Sequence, residues 1–255
     1  DSAGGGPVEV DRRIIDLLLF CRELEELTGG RVDVTMGSVL ALWHEARAQG
    51  VDDPDCAALP SGAALEAAAA HTGFHLLEID EEASTVRLTD PQARLDVGAV
   101  AKGYAVEQVC RASPAGLLVS VGGNVRATGP KPAGDAPWVV GVQEPDGGKQ
   151  DYLHTLYINR QSVVSSGDYQ RYYTVDGVRY HHIIDPETLY PGSLWRAVTV
   201  VCADSGLADG LSTALFLLPE EEGAALARRC GAQAMWVAPD GTLSYTDGFL
   251  EAVRT

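Results

Sequence analysis

Near residue 75 the sequence changes its periodicity, and this limits the possible folds more than any other feature. Up to that point apolar residues recur at helical spacing. "VDRRIIDLLLFCRELEELTGG" sets Ile14, Leu17, Leu18, Cys21 and Leu24 three and four apart, and Gly29-Gly30 stops the helix. "VTMGSVLALWHEAR" reads as a short helix carrying Trp43, and "GVDDPDCAALPSG" as a loop. "SGAALEAAAAHTG" reads as an Ala-rich helix with Ser61 as its N-cap. From residue 75 onward the segments turn short and β-rich: "HLLEID", "TVRLTD", "GLLVSVGG", "WVVGVQEP", "YLHTLYIN" and "SVVSSGDY" are separated by turn residues. "RYYTVDGVRYHHIID" places Asp176-Gly177 between two aromatic and β-branched runs, which is a hairpin signal. The last third adds a strand ("AVTVVCAD"), two helices ("GLADGLSTALFLL", "EEEGAALARRCG") and a closing strand pair. Helices, then a β meander, then mixed elements predict an α+β fold with a mixed or antiparallel sheet core flanked by helices.

Charge and composition narrow the function. With 45% apolar and 22% charged residues, the 255-residue chain has the composition of a soluble globular protein with a full core. A formal net charge of -17 argues against nucleic acid or anionic lipid as a partner, because both require clustered Lys and Arg. No stretch approaches the roughly 20 apolar residues of a membrane span. The five cysteines, at 21, 56, 110, 202 and 230, are scattered without a C-x-x-C and read as small buried hydrophobes. An anionic ligand would need local help from a metal ion, backbone N–H groups or a helix start.

Four places could provide it. In "RLDVGAVAKGYAVEQV", Gly98 and Gly103 have the spacing of a Walker A loop, but Tyr104-Ala105 follows where Lys-Ser or Lys-Thr is needed. Here Asp96 closes a strand, Gly98-Ala99 turns, and a helix begins near Val100 with Lys102 one turn in. Small residues before a helix start suit an anion or a metal on the backbone; standing alone, the segment reads as an ordinary strand-turn-helix with a surface Lys. In "SGLADGLSTALFLL", Leu207, Leu211, Ala214, Leu215 and Leu218 form a core stripe, with Asp209, Ser212 and Thr213 opposite. Asp209 and Thr213, one turn apart, offer hard oxygens suited to Mg²⁺; standing alone, the pattern reads as a solvent-facing polar stripe. "VSVGGNVRATG" carries a glycine turn without Rossmann spacing. In "RYHHIIDP", His181 and His182 alternate across a strand, one in and one out.

The order of these motifs is more specific than any of them singly. "LDVGAVAKGYAVE" resembles the D-L/V-G-G/A-I/V-A-K-G-Y-A-V/A-D/E signature of ApbE-type FAD:protein FMN transferases. "VGGN" (121–124), "SSGDY" (165–169), "HIIDPETLYP" (182–191) and "ADGLSTALF" (208–216) follow in that family's order, and "VDVTMGSVLALW" is similar to a helix before them. Val34 and Ser38 stand at two family prolines, and Leu189 where Gly is common. The resemblance implies one ApbE-like (T-fold-related) domain over 1–255, lacking the family's N-terminal strand region.

It also implies a Mg²⁺-dependent enzyme that transfers FMN from FAD to a Ser or Thr hydroxyl of an acceptor flavoprotein, releasing AMP. Such acceptors include subunits of membrane redox complexes. Position by position, Ala99 (through its carbonyl), Asp209 and Thr213 match the Mg²⁺ ligands. Asp96 and Lys102 match FAD contacts, His182 and Ile183 stand near the flavin and pyrophosphate, and Trp43 lines the flavin pocket. His182 and Asp209 are the candidate bases, His182 preferred at its ordinary pKa near 6.5. A metal-dependent FAD pyrophosphatase and a non-catalytic flavin-binding protein stay open as alternatives. The implied location is extracytoplasmic in a bacterium, with a lipid anchor on a segment outside this sequence; a cytoplasmic one stays open.

Overall fold

The computed structural model describes residues 3–148 and 150–253. Its first half contains β1 (Val8–Glu9), α1 (Arg12–Thr28), α2 (Gly37–Asp52), α3 (Gly62–Ala69), β2 (Leu77–Asp80), β3 (Thr85–Leu88), α4 (Ala101–Arg111), β4 (Leu118–Val121) and β5 (Asn124–Ala127). The second contains β6 (Trp138–Gln143), β7 (Tyr152–Ile158), β8 (Ser162–Gly167), β9 (Tyr172–Val175), β10 (Val178–His181), β11 (Ala197–Cys202), α5 (Ser205–Leu217), α6 (Glu220–Arg229), β12 (Gln233–Val237) and β13 (Leu243–Tyr245). This is the expected α+β class, and every pairing between these strands is antiparallel. The contacts divide it into two compact units, residues 1–98 with 170–191 and residues 99–169 with 192–255.

In the first unit, α1 has Asp11 as its N-cap, accepting the Arg13 N–H, and ends at Gly29 in the left-handed region. Its buried stripe is Ile15, Leu18, Cys21, Leu24 and Thr28, one residue off the expected register at the start: Ile14 is exposed. The helix carrying Trp43 is longer than expected, running on through Val51 and Asp52 before a short 3-10 turn at Pro54–Cys56. Ser61 caps α3 as expected, its hydroxyl accepting the Ala64 N–H. Strands β1, β3 and β2 form a small sheet in that order. The β9–β10 hairpin turns at Asp176 and Gly177, with φ of 49° and 79°, the two positive values that a two-residue hairpin turn requires. Trp43, Met36, Val39, Leu65, Tyr173 and Ile184 make this unit's cluster around α2.

The second unit is built on a six-stranded sheet in the order β13-β12-β11-β8-β5-β4. β11 is buried at every residue, as its run "AVTVVC" requires of a central strand. Helix α5 packs on β8 and β11 and against α4, so it is buried almost all round rather than along one stripe. Strands β6 and β7 form a separate two-stranded sheet, whose Val140, Val142, Leu156 and Ile158 join the sheet's Val163, Val201 and Met235 in one core. Strand β5 escaped the sequence reading, which saw only a glycine turn there. All five cysteines are free; Cys21, Cys110 and Cys202 are buried as expected, whereas Cys56 is exposed. Among the described residues no helix is long and apolar enough to cross a membrane.

Candidate functional site

In the second unit the site is built where α4 meets α5. Asp204 caps α5 by accepting the Leu207 N–H at 2.8 Å. One turn in, Asp209 is 4% exposed and Ser212 fully buried, so the expectation that they share a solvent-facing side is overturned. Leu207, placed on the core stripe by periodicity, is only half-buried. The cause is α4. Helix α4 makes its first backbone bond from Tyr104 N–H to the Val100 carbonyl, which leaves the Gly103 amide among the unsatisfied donors of a helix start. The Asp209 carboxylate accepts that amide at 2.8 Å, and Lys102 Nζ stands 3.3 Å from both of its oxygens. A carboxylate is favoured at a helix N-terminus by the partial positive charge there.

Only glycine allows this approach. A Cβ at position 103 would lie 2.3 Å from the Ser205 carbonyl oxygen and 2.5 Å from Asp209 Cβ. Around this contact the motifs gather: Gly122 of "VGGN" sits under the Lys102 stem, where an added Cβ would stand 3.4 Å from its Cδ. Ser166 of "SSGDY" shares a 2.8 Å hydrogen bond with Ser212, whose hydroxyl also lies 2.8 Å from the Asp209 carbonyl. Ala99 lies in the turn entering α4, its carbonyl outside the helix's own ladder, and Thr213 is half-buried one turn beyond Asp209. Asp96 closes no strand; it follows an isolated bridge between Arg94 and Met36.

Asp96 and the remaining predicted residues belong to the first unit. Asp96 Oδ1 accepts the Gly98 N–H at 2.8 Å, and its Oδ2 is 3.9 Å from His44 Nδ1. Trp43 is 3% exposed, its indole N–H donating to the Leu189 carbonyl and its ring contacting Tyr180 and Tyr190. It is a core residue. Ile183 is buried, and its N–H donates to His181 Nδ1 at 3.2 Å. His181 ends β10 on the inside; His182, just past the strand, is half-buried rather than outward.

The His182 ring does not keep an ordinary pKa. Burial, then the nearby charges of Arg171, His181 and Arg47, push it down to about 4. Its Nδ1 is buried with no hydrogen-bond partner among the described residues, while the Arg171 backbone engages the ring. It is therefore neutral at pH 7. The unfolded ring takes its proton near pH 6.5 and the folded ring only near pH 4, so stability is lost as pH falls through that window. For this half-buried group the loss is on the order of 2 kcal/mol. His182→Asn is expected to flatten the dependence by that amount when urea midpoints at pH 7 and pH 4.5 are compared with those of the parent. An unchanged slope would show that the folded ring titrates normally.

One residue the sequence reading left without a role is Glu107. It is buried on α4, accepts the Ser205 N–H at 2.9 Å, and pairs with Arg126 at 3.1 Å and Arg111 at 3.2 Å. Burial alone would raise its pKa, but the Ser205 amide, Arg126 and Arg111 together hold it below the usual carboxylate range. Its place four residues after Gly103, on the same helix face, was a signal available in the sequence.

Known proteins bear on this arrangement. A model of the ApbE family matches residues 1–236. The chain belongs to that family. It is 34% identical to a FAD:protein FMN transferase of Treponema pallidum over 272 residues, 99% of this chain and 73% of the relative. A FAD:protein FMN transferase of Klebsiella pneumoniae is 34% identical over 233 residues, 89% of this chain and 69% of the relative. The crystal structure of the ApbE protein of Thermotoga maritima superimposes with a TM-score of 0.86 at 34% identity, over 98% of this chain and 81% of that one. The apo flavinyl transferase ApbE of Pseudomonas stutzeri gives 0.78 at 31% identity, over 99% and 78%.

Proposed function

We propose that this chain transfers FMN from FAD to a Ser or Thr hydroxyl of an acceptor flavoprotein, in a Mg²⁺-dependent reaction that releases AMP. The observation that carries the reading is the buried Asp209 carboxylate fixed at the start of α4 beside Lys102, in a chain whose net charge is -17. Such a chain needs local positive charge to bind a pyrophosphate, and Lys102 together with a divalent ion on Asp209 would supply it. The names of the relatives, FAD:protein FMN transferase, support the same reaction.

The residues present fit a hard divalent ion. Among the described residues no three His, Cys, Asp or Glu side chains converge as a metal cage, which disfavours a zinc-type site. One carboxylate (Asp209), one hydroxyl (Thr213) and one backbone carbonyl (Ala99), with waters completing the shell, is a donor set suited to Mg²⁺. When bound, the ion supplies charge neutralisation on the pyrophosphate oxygens. Lys102, whose side chain is 33% exposed, can turn from Asp209 to a phosphate oxygen. The acceptor hydroxyl oxygen forms a bond to the riboflavin-side phosphorus, the bond to the AMP oxygen breaks, and the hydroxyl proton leaves to a base. His182 is the proposed base on the strength of the resemblance, with Asp209 the other candidate; its ring is neutral at pH 7, but a pKa of about 4 makes it a weaker base than an ordinary histidine. Asp96 and Ile183 are the proposed flavin contacts, and Trp43 the proposed lining of the flavin pocket.

Intact mass after incubation with FAD, Mg²⁺ and an acceptor flavoprotein tests the reaction. The expected result is an acceptor heavier by one FMN, with AMP released. Free FMN and AMP with an unmodified acceptor would make the chain a pyrophosphatase instead. Intact FAD held without AMP release would leave only binding.

A further inference from the structure

We propose that Glu107 is a positioning residue for Asp209: the two carboxylates form a reciprocal clasp that sets α4 against α5. The inference rests on the metal-holding role proposed above for Asp209. Asp209, on α5, accepts the amide of Gly103 at the start of α4; Glu107, on α4, accepts the amide of Ser205 at the start of α5. Gly103 and Glu107 are four residues apart, and so are Ser205 and Asp209. Each helix therefore gives an N–H and, one turn later, a carboxylate, to the other. A shift of either helix along its axis breaks both bonds together.

The clasp is tight. Gly103 brings the two backbones together, and the Glu107 side chain is 7% exposed and held by Arg126 and Arg111. The direction in which the Asp209 carboxylate points, relative to the turn carrying Ala99, is thus set by a residue that supplies no ligand itself. Partners that hydrogen-bond a metal ligand directly typically change metal affinity by about 10- to 100-fold when removed; Glu107 acts through the Ser205 N–H instead, which places its effect at the lower end of that range.

Mn²⁺ binding to the full chain without FAD, read by electron paramagnetic resonance of the free ion, tests this. Glu107→Ala is expected to weaken Mn²⁺ binding by at least about tenfold. Glu107→Gln, whose amide oxygen still accepts the Ser205 N–H, is expected to stay within about threefold of the parent, although loss of its charge lowers the melting temperature. Ser205→Pro removes the donor at the first helical position, where proline is tolerated, together with the buried Ser205 hydroxyl, and its ring displaces the Glu107 carboxylate. Its preceding residue Asp204, at φ −106° and ψ 128°, already has the extended backbone that proline demands. It is expected to weaken Mn²⁺ binding as Glu107→Ala does, and it decides the matter if Glu107→Ala does not fold. Ser205→Ala, which loses only the hydroxyl, is its control and is expected to bind Mn²⁺ like the parent. Parent-like Mn²⁺ affinity in Ser205→Pro, with affinity lost in Asp209→Ala, would overturn the clasp and leave the metal site standing. Parent-like affinity in Asp209→Ala would instead remove the metal reading, and the clasp's purpose with it.

Discussion

Asp209→Ala is expected to lower the rate of FMN transfer by about a thousandfold, some 4 kcal/mol of transition-state stabilisation. The carboxylate is the only fully charged oxygen donor in the proposed ligand set, so nothing nearby replaces it. Part of the effect could come from the fold, because the Gly103 amide loses its acceptor at a cost of about 1–3 kcal/mol. Asp209→Asn separates the two contributions. Its amide oxygen still accepts the Gly103 N–H at the start of α4, while the charge facing Lys102 and the cation is gone. The Lys102 ammonium is partly exposed and can turn to water. Asn at this position is expected to melt within a few degrees of the parent and still transfer FMN at least about a hundredfold more slowly. Transfer at the parent rate in the Asn variant would remove Asp209 from the chemistry.

Gly103→Ala is expected to cost about 3 kcal/mol of stability, a fall in melting temperature of roughly 10 °C for a chain of this size. The added methyl meets backbone at 2.3 Å and a Cβ at 2.5 Å, and neither can rotate away. The helices must part, and the Gly103–Asp209 hydrogen bond lengthens with them. Gly6→Ala serves as the control, since nothing lies within 4 Å of a Cβ there, and it is expected to be neutral. A Gly103→Ala protein with the parent's melting temperature and activity would mean that α4 and α5 are less closely apposed than described.

The elements that were legible in the sequence are those whose signal is local. The Asp176-Gly177 turn, the Ser61 cap and the Gly29 stop depend on neighbouring residues only, and the structure has each of them. Strand β5 was not legible because it is four residues long, directly follows Gly122-Gly123, and turns a polar residue inward: Asn124 is buried, and half-buried Arg126 is met by Glu107, 19 residues away. The same limit hid the burial of Asp209. Periodicity assigns faces to one helix at a time, and α4 covers the face of α5 that looked free. Leu189 is a different case. Its departure from the family's usual glycine was visible, but its φ of 64° shows that the turn keeps a left-handed backbone with a side chain that disfavours it. The Leu189 carbonyl that receives the Trp43 indole depends on that turn.

Anomalous scattering from a crystal of the chain grown with Mn²⁺ and FAD would test the metal reading with the fewest intermediate assumptions. The ion is expected in direct contact with an Asp209 oxygen, with the Thr213 hydroxyl and the Ala99 carbonyl among the groups that hold it. Manganese bound elsewhere, with Asp209 still joined only to Lys102 and the Gly103 amide, would contradict it.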